Sequence, residues 1–140
     1  MSFYLDASAL VALLSDDLLH TRADRFFREN PEVLLVSDFA AAEFSSVVAR
    51  RVRVGAITTA EARSGFATFD TWCANSATRM EIIAADLGAA ERHLRRLDTS
   101  LRAPDAIHIA IAQRLEATLV TFDRQMADNA RALGTAVATP

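Results

Sequence analysis

No lysine occurs in this chain; all 15 basic residues are arginine. That excludes chemistry resting on a lysine amine: Schiff-base catalysis, a P-loop built on Gly-Lys-Ser/Thr, and receiver-type phosphoacceptor sites. Glycine is scarce as well. Gly55, Gly65, Gly88 and Gly134 are scattered, so there is no glycine-rich dinucleotide loop. The only cysteine, Cys73, has no partner for an internal disulfide and no companions for a cysteine-rich zinc site. Among Phe66, Phe69 and Trp72 it reads as a buried apolar thiol. Apolar runs are short and broken by charges, below the roughly 18 consecutive residues a membrane span needs. No basic stretch followed by a long apolar run marks a secretory signal, so a cytoplasmic protein without membrane association is expected. The net charge of −3 lacks the basic excess of many nucleic-acid binders.

What is present suits one compact domain over residues 1–140, because a chain of this length with 51% hydrophobic residues can bury a substantial core. Short apolar runs alternate with longer helical patterns. Strands are expected at Phe3–Leu5, Val33–Ser37, Met80–Ala84 and Thr118–Phe122, with an edge strand at Thr135–Ala138. Leu10, Val11, Leu13 and Leu14 recur at helical spacing behind Ser8, a candidate N-cap. Asp38 can cap a helix that Gly55 closes, and Thr58 with Glu61 forms a capping-box pattern for the next. Asp86 can begin a helix running to Leu97, Pro104 opens another, and Arg124–Leu133 is a last helix closed by Gly134. Strands separated by helices predict an α/β fold with a mostly parallel central sheet of four to five strands and helices on both faces.

Within that frame the acids are informative. Asp6 and Asp123 each follow a buried-strand run, at the carboxyl edge where open parallel sheets bind ligands. Glu43 sits in a helix between Phe39 and Val47 at i−4 and i+4, beside apolar neighbours. Asp105 occupies a first helical turn, where acids commonly complement the helix dipole. Each also has an ordinary reading: Asp6 and Asp123 can cap the helices that follow them, and Glu43 can pair with an arginine such as Arg50. If the four converge, two carboxylates about 4 Å apart repel by on the order of 4 kcal/mol at an effective dielectric of 20. Such a cluster calls for protons or cations. An all-oxygen site without His or Cys ligands suits Mg²⁺ or Mn²⁺, and the implied chemistry is phosphoester cleavage by metal-activated water.

These residues resemble the PIN domains, and among them the VapC-type toxins of bacterial toxin–antitoxin pairs. "YLDASALVALL" is similar to the family's first block, with Asp6 the first acid and Ser8 the small hydroxyl residue after it. "SDFAAAEFSSVVAR" resembles the second block, whose glutamate falls on Glu43. "RAPDAIHIAIA" resembles the third, with its acid at Asp105, and "LVTFDRQMADNARALG" the last, with its acid at Asp123. Pro104 departs from the polar residue the family often carries before that third acid. The resemblance spans nearly the whole chain. It implies a Mg²⁺- or Mn²⁺-dependent endoribonuclease acting on RNA, a homodimer able to form a larger complex, and a cognate antitoxin that occludes the site. Asp6 and Asp105 would be direct metal ligands, with Asp123 and Glu43 holding metal-bound water, binding a second ion or orienting the nucleophile.

Ser8 is a candidate contact to a metal water, or simply an N-cap. Arg102 is a candidate phosphate contact whose fork suits phosphate oxygens, or simply a solvated arginine. Arg50, Arg51 and Arg53, or Arg92, Arg95 and Arg96, are candidates for the RNA backbone. His108, on an otherwise apolar helix, reads as a buried hydrogen-bonding residue rather than a general base. His20 and His93, among charges, read as surface. Two alternatives stand beside the nuclease. A haloacid-dehalogenase-like phosphatase needs a second aspartate two residues after the first, where this chain has Ser8, and a lysine it lacks. A non-catalytic PIN-like scaffold would act only through antitoxin and a DNA-bound complex.

Overall fold

The computed structural model describes residues 1–15 and 17–140. Strands β1 (Ser2–Leu5), β2 (Val33–Ser37), β3 (Thr78–Met80), β4 (Thr118–Val120) and β5 (Val137–Ala138) form one sheet in the order β3-β2-β1-β4-β5, every pairing parallel. Helices α1 (Ala7–Leu14) and α2 (His20–Glu29) connect β1 to β2. Helices α3 (Asp38–Arg53) and α4 (Thr59–Ser76) lead to β3, α5 (Ala84–Leu94) and α6 (Ala103–Arg114) to β4, and α7 (Arg124–Ala132) to β5. The chain builds outward from β1 through β2 to β3, then returns to β1's other side for β4 and β5. The order therefore reverses between β1 and β4, and at such a switch point the loops leaving the carboxyl ends diverge and open a crevice.

Side chains alternating along the strands feed two cores. Phe3 and Leu5 join Leu10, Val36, Phe44, Phe69 and Val120 on the face covered by α1, α3 and α4. Tyr4, Leu35 and Leu119 point the other way, to Ile109, Ile111 and Met126 on α6 and α7. Among the described residues no helix is long and apolar enough to cross a membrane.

The element boundaries correct several expectations. Asp6, not Ser8, caps α1 by accepting from the Ala9 N–H, and Ser37, not Asp38, caps α3 by accepting from Ala40. Asp38 begins that helix and pairs with Arg79. The third strand lies at Thr78–Met80, in register with Leu35–Ser37, rather than at Met80–Ala84. Glu81–Ile83 instead form the lead into α5, with the Ile83 N–H donating to Asp86 in that helix's first turn. The same helix ends at Leu94, short of Leu97, which adopts a left-handed φ of 62°. The fourth strand stops at Val120, before Thr121 and Phe122. Helix α2 has no clear sequence signal, because its buried contact is confined to Ala23 and the pair Phe26 and Phe27, which pack on Phe3 among charged neighbours. The Thr58–Glu61 capping box forms as expected, and Gly55 and Gly134 follow their helices at φ 75° and 80°.

Asp86 is fully buried and takes two hydrogen bonds from Arg114, at 2.6 and 3.0 Å, while Arg114 also donates to the Glu81 carbonyl. This clamp ties the lead of α5 to the end of α6. Removing one partner of a buried pair leaves the other's charge uncompensated, whereas exposed pairs contribute little. Arg114→Met should therefore cost about 3 kcal/mol in chemical denaturation. Arg79→Met, which breaks the exposed pair with Asp38, should cost under about 1 kcal/mol.

Candidate active site

The crevice at the switch point is a cavity of about 260 Å³ lined by Asp6, Ser8, Glu43, Arg102, Asp105, His108, Asp123 and Met126. All four acids singled out in the sequence therefore meet in one place, together with Ser8 and Arg102. Asp6 directly follows β1 and is only 2% exposed. Its Oδ1 accepts from the Ser8 hydroxyl at 2.7 Å and the Ala9 N–H at 2.9 Å, and its Oδ2 accepts from the Thr121 hydroxyl at 2.6 Å. Both hydroxyls reach further: Ser8 Oγ accepts from the Phe122 N–H, and Thr121 Oγ1 from the Asp123 N–H. The carboxylate is thus a helix cap and a junction between the ends of β1 and β4 at once, so its capping reading and its site reading are compatible.

Asp123 caps α7 by accepting from the Met126 N–H at 3.0 Å. Asp105, in the first turn of α6, is 8% exposed; the nearest cation is the Arg102 guanidinium at 3.9 Å, on a side chain 79% exposed. Burial pushes the carboxyls of Asp6 and Asp105 above the usual aspartate range, and for Asp105 the nearby Asp123 adds to the rise. The negative charge of the cavity is therefore under-compensated by the protein's own groups.

Glu43 pairs not with Arg50 but with Nε2 of the buried His108. On the other side of the ring, Nδ1 lies 2.7 Å from the Tyr4 hydroxyl, which in turn lies 2.8 Å from Ser37 Oγ, and that oxygen accepts from the Ala40 N–H. Burial raises the Tyr4 phenol well above its ordinary value, so it stays protonated. One assignment satisfies every donor: Ser37 donates to Tyr4, Tyr4 to Nδ1, and Nε2–H to the Glu43 carboxylate. His108 is thereby a doubly engaged histidine that aims Glu43 into the cavity. Of the other histidines, His20 is exposed as expected, but His93 is partly buried and meets Gln113 Oε1 at 2.8 Å.

Thr121 and Tyr4 belong to the site and carry only weak sequence signals. Thr121 is a polar residue two before Asp123, and Tyr4 is the only tyrosine, placed in an apolar strand. Arg51, Arg95 and Arg96 lie beside Asp17, Glu91 and Asp98, the last two in exposed pairs of the kind that contribute little. Among the described residues no three acidic, histidine or cysteine side chains are close enough to ligate one ion by themselves.

The raised carboxyls fix the sign of a pH effect. A folded-state pKa above the unfolded value of 3.8 means the native protein binds protons more readily, so stability grows as pH falls. In chelator-containing buffer, the melting temperature should rise on acidification from neutrality toward the raised pKa values, the gain being complete below about 3.8. Asp6→Asn should flatten this rise and melt no lower than the parent at pH 7, by scanning calorimetry.

A sequence model of the PIN domain family, described as "PIN domain", matches residues 3–132. Among curated proteins, none matches the chain significantly in sequence. Among solved structures, the chain resembles VapC20 of Mycobacterium tuberculosis, a sarcin-ricin-loop-cleaving toxin, with a TM-score of 0.76 at 20% identity over 99% of each chain. It also resembles VapBC2 from Rickettsia felis, solved on a DNA fragment from their promoter, with a TM-score of 0.73 at 13% identity over 100% of this chain and 99% of the other. FitAcB from Neisseria gonorrhoeae gives 0.65 at 16% identity over 96% and 95%. These likenesses concern the fold, which matches the all-parallel sheet seen here, and the sequence match spans most of the molecule: the chain belongs to the PIN domain family.

Proposed function

We propose that the protein is a metal-dependent endoribonuclease acting in the cytoplasm as the toxin of a toxin–antitoxin pair. The observation that carries this reading is the convergence of Asp6, Glu43, Asp105 and Asp123 on one crevice with so little compensating positive charge. The donor set is all oxygen and suits a hard cation, Mg²⁺ or Mn²⁺. Mg²⁺ is commonly held by one or two carboxylates with waters and substrate phosphate completing its shell, so it does not require three of these side chains to ligate one ion. When bound, such an ion supplies Lewis-acid charge to the scissile phosphate and makes a water nucleophilic at neutral pH.

The chain's own groups divide the work. Asp6 and Asp105 would hold the ion, Asp6 rigidly because three donors fix its carboxylate. Glu43, aimed by His108, and Asp123, fixed at the start of α7, would orient the attacking water or a second ion. Arg102, exposed at the mouth, would meet a phosphate oxygen, and Ser8 acts on Asp6 rather than on substrate. With both ring nitrogens engaged, His108 has none free to take a proton from a ribose 2′-hydroxyl. Cleavage should therefore leave a 5′ phosphate and no 2′,3′-cyclic phosphate. The fold shared with toxin–antitoxin complexes supports an antitoxin partner. In this reading the chain forms a homodimer, and the antitoxin covers the carboxylates with a basic side chain, a charge-assisted contact.

Purified protein incubated with structured RNA should cleave with Mg²⁺ or Mn²⁺ and stop with EDTA. Asp6→Asn and Asp105→Asn should reduce cleavage to background, Glu43→Gln and Asp123→Asn by at least about a hundredfold, and Thr121→Val or His108→Gln by about 10- to 100-fold, the range for groups that orient ligands. Independently of activity, Mg²⁺ should raise the melting temperature by mass action, and Asp105→Asn should abolish that shift. No shift and no cleavage would leave the non-catalytic scaffold as the better reading.

A further inference from the structure

A second cavity, of about 580 Å³, adjoins the carboxylate crevice through the consecutive residues Phe122 and Asp123 and has the opposite character. Its lining includes Arg22 from α2, Arg124 and Arg131 from α7, and Phe122 from the turn after β4. Its only acidic side chain is Asp128, whose carboxylate is 3.5 Å from Arg131 in an exposed pair of the kind that contributes little. Among the described residues Arg124 makes no ion pair. The Arg22 guanidinium lies 5.6 Å from the centroid of the Phe122 ring and donates to the Pro140 carbonyl. A chain carrying a net charge of −3 thus lines one cavity with three arginines and the Phe122 ring, the Arg22 guanidinium lying over that ring.

The two cavities are joined by consecutive residues. Phe122 lines the basic one and Asp123 the acidic one, and their Cα atoms are about 3.8 Å apart across one peptide. The Phe122 N–H donates to Ser8 and the Asp123 N–H to Thr121, so the turn that separates the cavities is locked to the carboxylate junction. Guanidinium forks match phosphate oxygens, and a ring face accepts a base of any identity by stacking. The volume lies within the range that encloses a drug-sized ligand.

We propose that this arginine-lined cavity over Phe122 is a nucleotide subsite, holding the single-stranded RNA that flanks the bond presented to the carboxylates. The proposal rests on the ribonuclease reading and adds a binding site for its substrate. A strand crossing from one cavity to the other puts a phosphate at the acidic crevice, where a cation is needed, and its neighbours against arginines, where none is. The base of the flanking nucleotide stacks with the Arg22 guanidinium and the Phe122 ring beneath it. Recognition is of backbone charge and a stacked base, without base-edge readout.

The test separates binding from cleavage. Fluorescence anisotropy with a labelled single-stranded RNA oligonucleotide in EDTA, over 50 to 200 mM salt, reads affinity while nothing is cut. Arg124→Gln and Arg131→Gln should each weaken binding several-fold and flatten the slope of log K against log salt by about 0.7. Phe122→Leu should weaken it by about tenfold, within the range for loss of one stacked base, with the slope unchanged. Arg95→Gln, outside the cavity, should change neither. With metal restored, the arginine variants should raise KM and keep kcat. Melting curves establish that each variant is folded; if Phe122→Leu is not, the two exposed arginines decide alone. Wild-type protein that binds and cleaves RNA while the variants keep its affinity and slope overturns the subsite and leaves the nuclease standing. Wild type that neither binds nor cleaves overturns both. Variants that keep RNA affinity but lose the antitoxin overturn the proposal in favour of a peptide site.

Discussion

Asp6 ends the central strand with its carboxylate shut away from water, and the surroundings are arranged to hold that charge rather than to remove it. The first turn of α1 contributes a backbone N–H and the positive end of its dipole, and Ser8 and Thr121 contribute hydroxyls. Neither hydroxyl is spent on the carboxylate alone, since each also receives an N–H from the turn after β4. Truncating the whole side chain, unlike exchanging it for the isosteric amide, would release more than a cap: the loops leaving β1 and β4 would lose the group that draws them together. Burial nonetheless outweighs these donors, and the carboxyl remains harder to ionise than a free aspartate. The group is geometrically satisfied but electrostatically strained.

The second buried chain, from Ser37 through Tyr4 and His108 to Glu43, works differently. It crosses between neighbouring strands and the two helices that flank the crevice, so that Glu43, partly open to solvent, inherits its direction from residues in the core. An oriented histidine that hydrogen-bonds a functional carboxylate is the pattern by which outer groups tune an inner set. It also explains how a histidine and a tyrosine are tolerated in an otherwise apolar interior, where each needs a partner.

Much of this is legible in the chain itself because the residues concerned sit at positions with local meaning. Asp6, Asp123 and Asp105 stand at strand ends or helix starts, which short-range patterns mark well, and Glu43 stands out for its apolar neighbours on the helix. The partners of those acids are harder to read. That Glu43 meets His108 rather than Arg50 depends on how α3 and α6 approach across 65 residues of sequence, and no periodicity encodes it. Helix boundaries escape the sequence where two adjacent side chains compete for one role. Ser37 rather than Asp38 turns to the backbone, leaving Asp38 to reach Arg79 on the next strand. The strand at Thr78–Met80 is displaced from the expected one because "MEIIA" is the more apolar stretch, while pairing at an exposed sheet edge follows register rather than hydrophobicity. Helix α2 leaves no pattern because two adjacent phenylalanines suffice to dock it.

The junction between Asp6 and Thr121 joins residues 115 apart, and the strands beneath it pair the chain's beginning with its last quarter. Such high contact order makes the crevice a late product of folding, since the loop-closure entropy of nearly the whole chain must be overcome before β4 can dock. No nascent fragment that stops short of Thr121 possesses the complete set of groups. During synthesis from the N-terminus, at about 5 to 20 residues per second, the molecule therefore passes through a period of several seconds in which its first acid exists but its site does not, and whatever chemistry the site performs is withheld until Thr121 and Asp123 have been made.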